Sequence, residues 1–335
     1  MPSTRMQRAF TLVELLVVIS IIALLLGLLL PALGSAKRSA WQVTAASNLR
    51  NVAQAVSIYQ NERRHFPVSY AYAVDQNVPD WTESAQIDTN VGTNKPYVHW
   101  SWFLFDDGEV PGDAFENPAV PNGGAPRTNP GGDIRDWELG QINNLGQTAP
   151  AEYPRDFQVP RIGFTGNAAI FPRNKFMVAT PRRNQLVNLG DIPDGDKTIL
   201  ATEFHYSNNW TSLSDPQEGI IKSHRPVTPF VGGATGTDVY NEPTAGTIAR
   251  FAYPPESAFL TNQQQENAAN LIEDGNTELN AVGRHHPGKK ANFVYTDNHV
   301  ETKTVQETVK NREWGHRFYS ISGDNRVNLD AFPWP

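Results

Sequence analysis

The chain of 335 residues contains no cysteine and only three methionines. Disulfides, thiol nucleophiles and thiolate metal sites are excluded, so the core must hold without covalent staples. Basic residues are also scarce. Twenty-eight Lys and Arg stand against 35 Asp and Glu, a formal charge of −7. The few basic pairs, Arg63-Arg64, Arg182-Arg183 and Lys289-Lys290, are scattered. A nucleic-acid binder shows a basic patch or stripe, and none is present. No Gly-rich loop stands before a helix to cradle phosphate, and no G-x-S-x-G elbow presents a nucleophile. No segment repeats. The chain reads as neither an enzyme nor a nucleic-acid partner.

Long apolar runs are missing too, with one exception at the N-terminus. A short leader, Met1 to Ala9, carries Arg5 and Arg8. An apolar stretch follows from Phe10 to Leu33, broken by Thr11, Glu14, Ser20 and Gly27. About 24 residues at 1.5 Å each make about 36 Å of helix, enough for a hydrocarbon core of about 30 Å. Glu14 lies four residues inside it. A carboxylate there is costly to desolvate and marks a functional position. Gly34-Ser35-Ala36 offers the small residues of a secretory cleavage site, but the run is long, it contains Glu14, and helical periodicity continues beyond it.

These residues resemble the N-terminus of type IV prepilins and type II secretion pseudopilins: a basic leader, a small residue before the cut, then Phe-Thr-Leu-x-Glu and an apolar helix. The resemblance implies cleavage after Ala9, methylation of the new amine of Phe10, and a role in assembly for Glu14, the fifth mature residue. Ala9 stands where the family usually has glycine. Pro31 falls at the twenty-second mature position, where many pilins carry a kinking proline. Implied partners are a prepilin peptidase, other pilin or pseudopilin subunits and inner-membrane lipid, with no nucleic acid. Implied localisation is the bacterial inner membrane, single-pass, N-terminus cytoplasmic and head periplasmic, then a filament or the cell surface after assembly. Charge alone does not orient the span, since Arg5 and Arg8 before it are matched by Lys37 and Arg38 after it.

Beyond Pro31 the helix is expected to continue to about Asn61 and end before Phe66-Pro67. Ala45, Leu49, Val52, Val56 and Tyr59 form one stripe that should face a globular head. Gly and Pro, 25 each, and eight Trp suit a loop-rich aromatic β-type fold. The fold class read here is α+β and pilin-like: a long N-terminal helix, membrane-spanning then amphipathic, packed on a loop-rich antiparallel β-sheet head. The domains read as 1–9 leader, 10–33 transmembrane and assembly helix, 34–62 amphipathic helix, and 63–335 head. A Pro/Gly-rich surface insertion is expected at about 106–160.

Expected strands are 68–74, 97–105 with Trp100 and Trp102 on one face, 168–171, 198–204, 292–296 and 299–305. The last two should be joined by a two-residue turn at Asp297-Asn298. A short helix is expected at 262–272. The segments Ile192–Leu200 and His286–Val300 also resemble a large bacterial group of prepilin-like proteins with a His, nine-residue gap, Asp-Gly signature. Here ten residues separate His286 from Asp297, and Asn298 replaces the glycine.

Candidate chemistry in the head is thin. Glu203, His205, His285, His286, Asp297 and His299 combine carboxylate and imidazole in a way that suits zinc or a similar ion, though strand ends and turns use the same residues for backbone hydrogen bonds. Asp324, Asn325, Asn328 and Asp330 alternate oxygen ligands as in a calcium loop, and some pseudopilin heads bind calcium in a C-terminal loop. Arg326 lies among these residues, and no Glu closes the loop. The expectation is no cofactor, with calcium as the candidate carried by this loop. Trp81, Trp100, Trp102, Trp137 and Trp210 offer rings for sugar stacking or for core packing. The reading that results is a structural filament subunit. The alternative is a membrane-tethered surface protein whose head binds carbohydrate or metal.

Overall fold

The computed structural model describes residues 11–78, 80–87, 95–106, 111–143, 146–148, 150, 154–174, 176, 184–205, 223–232, 251–267, 277–332 and 334. Helix α1 (Leu12–Arg63) runs unbroken for 52 residues. Its ends are set by capping. At Thr11 the backbone is extended (φ −83°, ψ 148°), and its hydroxyl and the Glu14 side chain close a capping box, which satisfies donors a helix start leaves orphaned. At the other end Arg64 turns left-handed (φ 68°), and its N–H donates to the Gln60 carbonyl at 2.8 Å. Pro31 lies within the helix, which continues past it without the bond its missing N–H would make to Gly27.

The two halves of α1 have opposite surroundings. Of 24 large hydrophobic residues exposed among those described, sixteen fall between Leu12 and Leu33. In the upper half Ala45, Leu49, Val52, Val56 and Tyr59 are all buried, the stripe expected from the sequence, joined by Ala53 and Ala55.

Beyond α1 come β1 (Tyr70–Tyr72), α2 (Glu83–Ile87), β2 (Tyr97–His99), α3 (Trp100–Asp106), β3 (Phe164–Gly166), β4 (Ile199–Glu203), β5 (Val231–Gly232), β6 (Phe251–Ala252), α4 (Asn262–Asn267), β7 (Ala291–Tyr295), β8 (Val300–Lys303), α5 (Val305–Lys310) and β9 (Val327–Asn328). The central sheet has the order β3-β4-β7-β8, antiparallel throughout, with Thr202 opposite Phe293 and Phe293 opposite Glu301. The upper half of α1 packs on this sheet. A two-stranded sheet, β1-β2, and a small β5-β6-β9 sheet flank it. The β6–β9 pair is parallel, which two-residue strands did not announce. A long N-terminal helix laid on an antiparallel sheet in a mixed α+β head is a pilin-like fold.

Several local expectations are corrected. The run 97–105 is strand only through His99 and then turns helical. Apart from His99 and Ser101 the run is apolar and carries no period to tell the two apart. Trp100 and Trp102 then point about 200° apart around the helix; Trp100 is buried and Trp102 half-buried. Residues 168–171 form a buried turn in place of a strand. The Asn167 side-chain oxygen accepts the Ala169 N–H at 2.9 Å and its carbonyl accepts from Ile170 and Phe171, the local bonding by which Asn starts turns. The strand lies just before it, ending at Gly166, where an added Cβ would sit 2.2 Å from the Phe171 ring.

The β7–β8 turn has three residues, since the Tyr295 N–H reaches the His299 carbonyl at 3.0 Å. Asn298 does take the positive φ expected of it, 71°. The supposed surface insertion contributes to the core: Phe115 is fully buried and meets Trp100 edge-on at 5.1 Å. Ala125 and Ile162 exchange both backbone hydrogen bonds at 2.9 Å. Asp156 accepts N–H bonds from Tyr97 and Asn129 and so clasps this segment to β2. The expected helix at 262–272 is present as α4 to Asn267; the remainder lies outside the described residues.

Candidate functional site

Two regions bear on function, the start of α1 and the polar residues of the head. Ala9 and Phe10 lie outside the described residues. Next to them, Glu14 Oε2 accepts from the Thr11 N–H at 2.9 Å and from the Thr11 hydroxyl at 2.7 Å, while the Glu14 N–H donates to Thr11 Oγ1 at 3.2 Å. Glu14 Oε1 takes no hydrogen bond among the described residues. Further along, the Ser20 hydroxyl donates to the Leu16 carbonyl at 2.7 Å. In an apolar surrounding every polar group needs an internal partner, and Thr11 and Ser20 have one. Glu14 keeps one acceptor oxygen and its charge for an outside donor. Thr11 was overlooked as a site residue, although Thr11-Leu12-Val13-Glu14 is a legible S/T-x-x-E capping box.

In the head, the six metal candidates do not converge. Ile199 pairs with Tyr295 beside the β7–β8 turn, and Glu203 stands at the far end of β4. Four strand residues place the two groups about 13 Å apart. At the turn, His299 Nδ1 lies 2.5 Å from Asp297 Oδ1, and its ring stacks on Tyr295 at 4.2 Å. At the other end, His286 Nε2 contacts Glu203 Oε1 at 2.6 Å with both side chains buried. Asn292 donates to the same oxygen at 2.9 Å and to the Gln42 carbonyl of α1 at 3.1 Å. The Thr302 hydroxyl donates to Asn292 Oδ1 at 2.7 Å, and Gln42 Nε2 donates to Thr302 Oγ1 at 3.2 Å. This network joins spine and sheet, and Gln42, Asn292 and Thr302 gave no sequence signal. Among the described residues no group of three or more His, Asp or Glu stands where it could hold a metal ion.

The proposed calcium ligands are engaged otherwise. Asp324 faces the Arg326 guanidinium at 2.9 Å, and Asp330 faces Arg312 at 3.1 Å. Asn328 Oδ1 accepts the Asp330 N–H at 3.0 Å. Arginine thus takes the charge that calcium would need. Among the described residues the tryptophans share no platform either. Trp100 is buried against Phe171 at 5.2 Å, Trp81 stacks on Phe176 at 6.0 Å, and Trp102 leans on Phe157 at 5.5 Å. Trp137 Nε1 donates to the Gly131 carbonyl at 2.9 Å. Trp210 lies outside the described residues.

The family model of the prokaryotic N-terminal methylation motif matches residues 4–30. No curated protein matches the chain, and no solved structure does. A prepilin-type methylation motif leading into a long apolar helix fits a prepilin-like protein. The motif implies processing by a prepilin peptidase and assembly with other pilin subunits, and the exposed apolar half of α1 suggests a membrane anchor.

Proposed function

We propose that the protein is a non-catalytic structural subunit of a filament, either a type II secretion pseudopilus or a type IV pilus-like fibre. The peptidase cuts after Ala9 and the Phe10 amine is methylated. Before assembly the leader faces the cytoplasm and the head the periplasm; afterwards the helices bundle inside the filament and the heads coat it. The observation that supports this best is Glu14 Oε1, unpartnered among the described residues, on a helix half whose apolar side chains stand exposed there. A neighbouring subunit's N-terminal cation offsets the cost of that carboxylate in an apolar bundle.

Intact mass and N-terminal sequencing from native membranes test processing: a chain beginning at Phe10 with one added methyl group is expected. A start after Ala36, or an intact Met1, would overturn the reading. Crosslinking between N-terminal helices in membranes tests assembly, and its absence would leave a membrane-tethered monomer.

A further inference from the structure

We propose that Lys37, Arg38, Lys289 and Lys290 form one cationic surface that seats the head on a bilayer rich in anionic phospholipid. This rests on the membrane-anchor reading of α1. The two basic pairs stand far apart in the sequence, and two ties between helix and sheet bring them together. At one level the Asn292 amide donates to the Gln42 carbonyl at 3.1 Å, and Gln42 Nε2 donates to Thr302 Oγ1 at 3.2 Å. Higher up, Asn298 Nδ2 donates to Ser57 Oγ at 3.1 Å. Gln42 to Ser57 spans about 22 Å of helix, and Asn292 to Asn298 spans up to about 20 Å of extended chain. β7 therefore runs alongside α1 in the same direction, and the chain before Asn292 lies toward the apolar half of the helix.

That is where the second basic pair stands. His286 and Lys290 exchange backbone hydrogen bonds at 3.1 and 3.4 Å. They close a hairpin whose tip turns through Gly288 (φ 78°) and Lys289 (φ 57°). Lys290 comes two residues before Asn292, about 7 Å lower along the strand. Lys37 comes five residues before Gln42, about 8 Å lower along the helix. The two pairs share one level.

The side chains suit a headgroup layer. Lys290 shares the face of Asn292, the one turned to α1. Lys37, Arg38 and Lys289 are exposed. Arg38 reaches back down the helix, where its Nη1 would lie 3.8 Å from a Cβ added to Gly34. The unbroken run of exposed apolar helix ends next to it, at Leu33.

The neighbouring acids leave this surface cationic. Glu307 at the start of α5 faces Lys290, but its carboxylate accepts the Thr304 N–H at 2.7 Å and the Thr304 hydroxyl at 2.9 Å. Lys303, opposite Ala291, is held by Glu301 and Glu313 and is not counted. Glu116 meets α1 at Asn48, about 16 Å above Lys37 and beyond a Debye length of about 8 Å. The chain as a whole, at −7, is repelled by an anionic surface. This face is attracted to one, and it stands where the apolar helix would enter the lipid. Each Lys or Arg close to an anionic leaflet favours contact about fivefold.

The chain has no cysteine, so Pro287→Cys places a single fluorophore at the exposed hairpin tip, and Asp297→Cys places one at the far turn. Each full chain is reconstituted into vesicles of phosphatidylcholine alone, or of an equal mixture with phosphatidylglycerol. Both carry a trace of nitroxide-labelled headgroups as quencher. Quenching at 287 should be stronger in the mixed vesicles and fall as salt is raised, while quenching at 297 stays low in both. Lys289→Gln combined with Lys290→Gln should lower the ratio of docked to lifted heads about fivefold for each cation removed. Chains that float with neither vesicle would overturn the membrane anchor and the docking with it. Chains that float with both, yet show equal quenching at 287 or a lipid difference undiminished by the double substitution, would overturn the docking alone.

Discussion

The side-chain amide of Asn292 meets the main-chain carbonyl of Gln42 at 3.1 Å, and that bond stitches the central sheet to the long helix. The same amide supports a buried carboxylate, Glu203, at 2.9 Å. One residue on β7 therefore bonds to both the spine and a buried carboxylate of the sheet.

Truncating it should be costly. Asn292→Ala removes two donations and an acceptor and leaves Glu203 with His286 as its remaining partner. Hydrogen bonds to charged groups contribute about 1.5–3 kcal/mol each, and a buried group left short adds to that. A loss of about 3 kcal/mol is expected in urea unfolding followed by tryptophan fluorescence. A change below about 1 kcal/mol would show that the contact is incidental.

Leu49 is fully buried on α1, whereas Val43, six residues earlier, is 70% exposed. Leu49→Ala should destabilise by about 2–5 kcal/mol, through lost burial and the cavity left behind. Val43→Ala should stay within about 0.5 kcal/mol. The contrast between the two tests which stripe of the helix the head grips.

Asp156 predicts a pH dependence. Burial raises its carboxyl from 3.8 to about 6, outweighing the hydrogen bonds from Asn129 and Tyr97. The folded state thus holds the proton more tightly than the unfolded chain. Its contribution is fully present below about pH 4 and is lost as pH rises through about 6, on the order of 3 kcal/mol in all. The stability of the wild type relative to Asp156→Asn should fall across that window, and a flat difference from pH 4 to 7 would refute the assignment.

Thr11→Val keeps the side-chain shape but removes the hydroxyl that closes the capping box with Glu14. Fewer filaments, with membrane insertion unchanged, are expected in sedimentation of sheared fibres; Thr11→Ser should restore them. Glu14→Ala should abolish assembly altogether. Wild-type yields from Thr11→Val would mean that the box matters only to the free subunit.

The elements with a strong period were legible. The stripe from Ala45 to Tyr59 required only spacing by threes and fours, and Asn298 was placed in its turn by its tolerance of positive φ. Where the pattern carried no period, reading failed. Trp100 to Phe105 is apolar but for Ser101, so its sequence marks neither the end of the strand at His99 nor the helix that follows. Asn167 misplaced a strand because its local bonds override the apolar run that follows. The polar candidates failed differently. Composition gathered Glu203, His286, Asp297 and His299 into one set, yet strand direction sends them to opposite ends of the sheet. Arg326 was visible among the C-terminal aspartates, but Arg312, 18 residues from Asp330, was not. Only a register brings Gln42, Asn292 and Thr302 together.

The unbroken helix also acts as a ruler. Counted from Glu14 at 1.5 Å per residue, Lys37 stands about 35 Å along α1 and Ala45, the first fully buried position, about 47 Å. A hydrocarbon layer of about 30 Å ends just short of Lys37, whose ammonium lies 4.6 Å from the Trp41 ring. Such a cation and aromatic suit the headgroup zone. Gln42, bonded to the sheet at Asn292 and Thr302, stands only about 8 Å above Lys37 along the helix. In a chain anchored this way, little of the spine stands free between the lipid surface and the sheet, and a partner reaches the described part of the sheet from the side or from above.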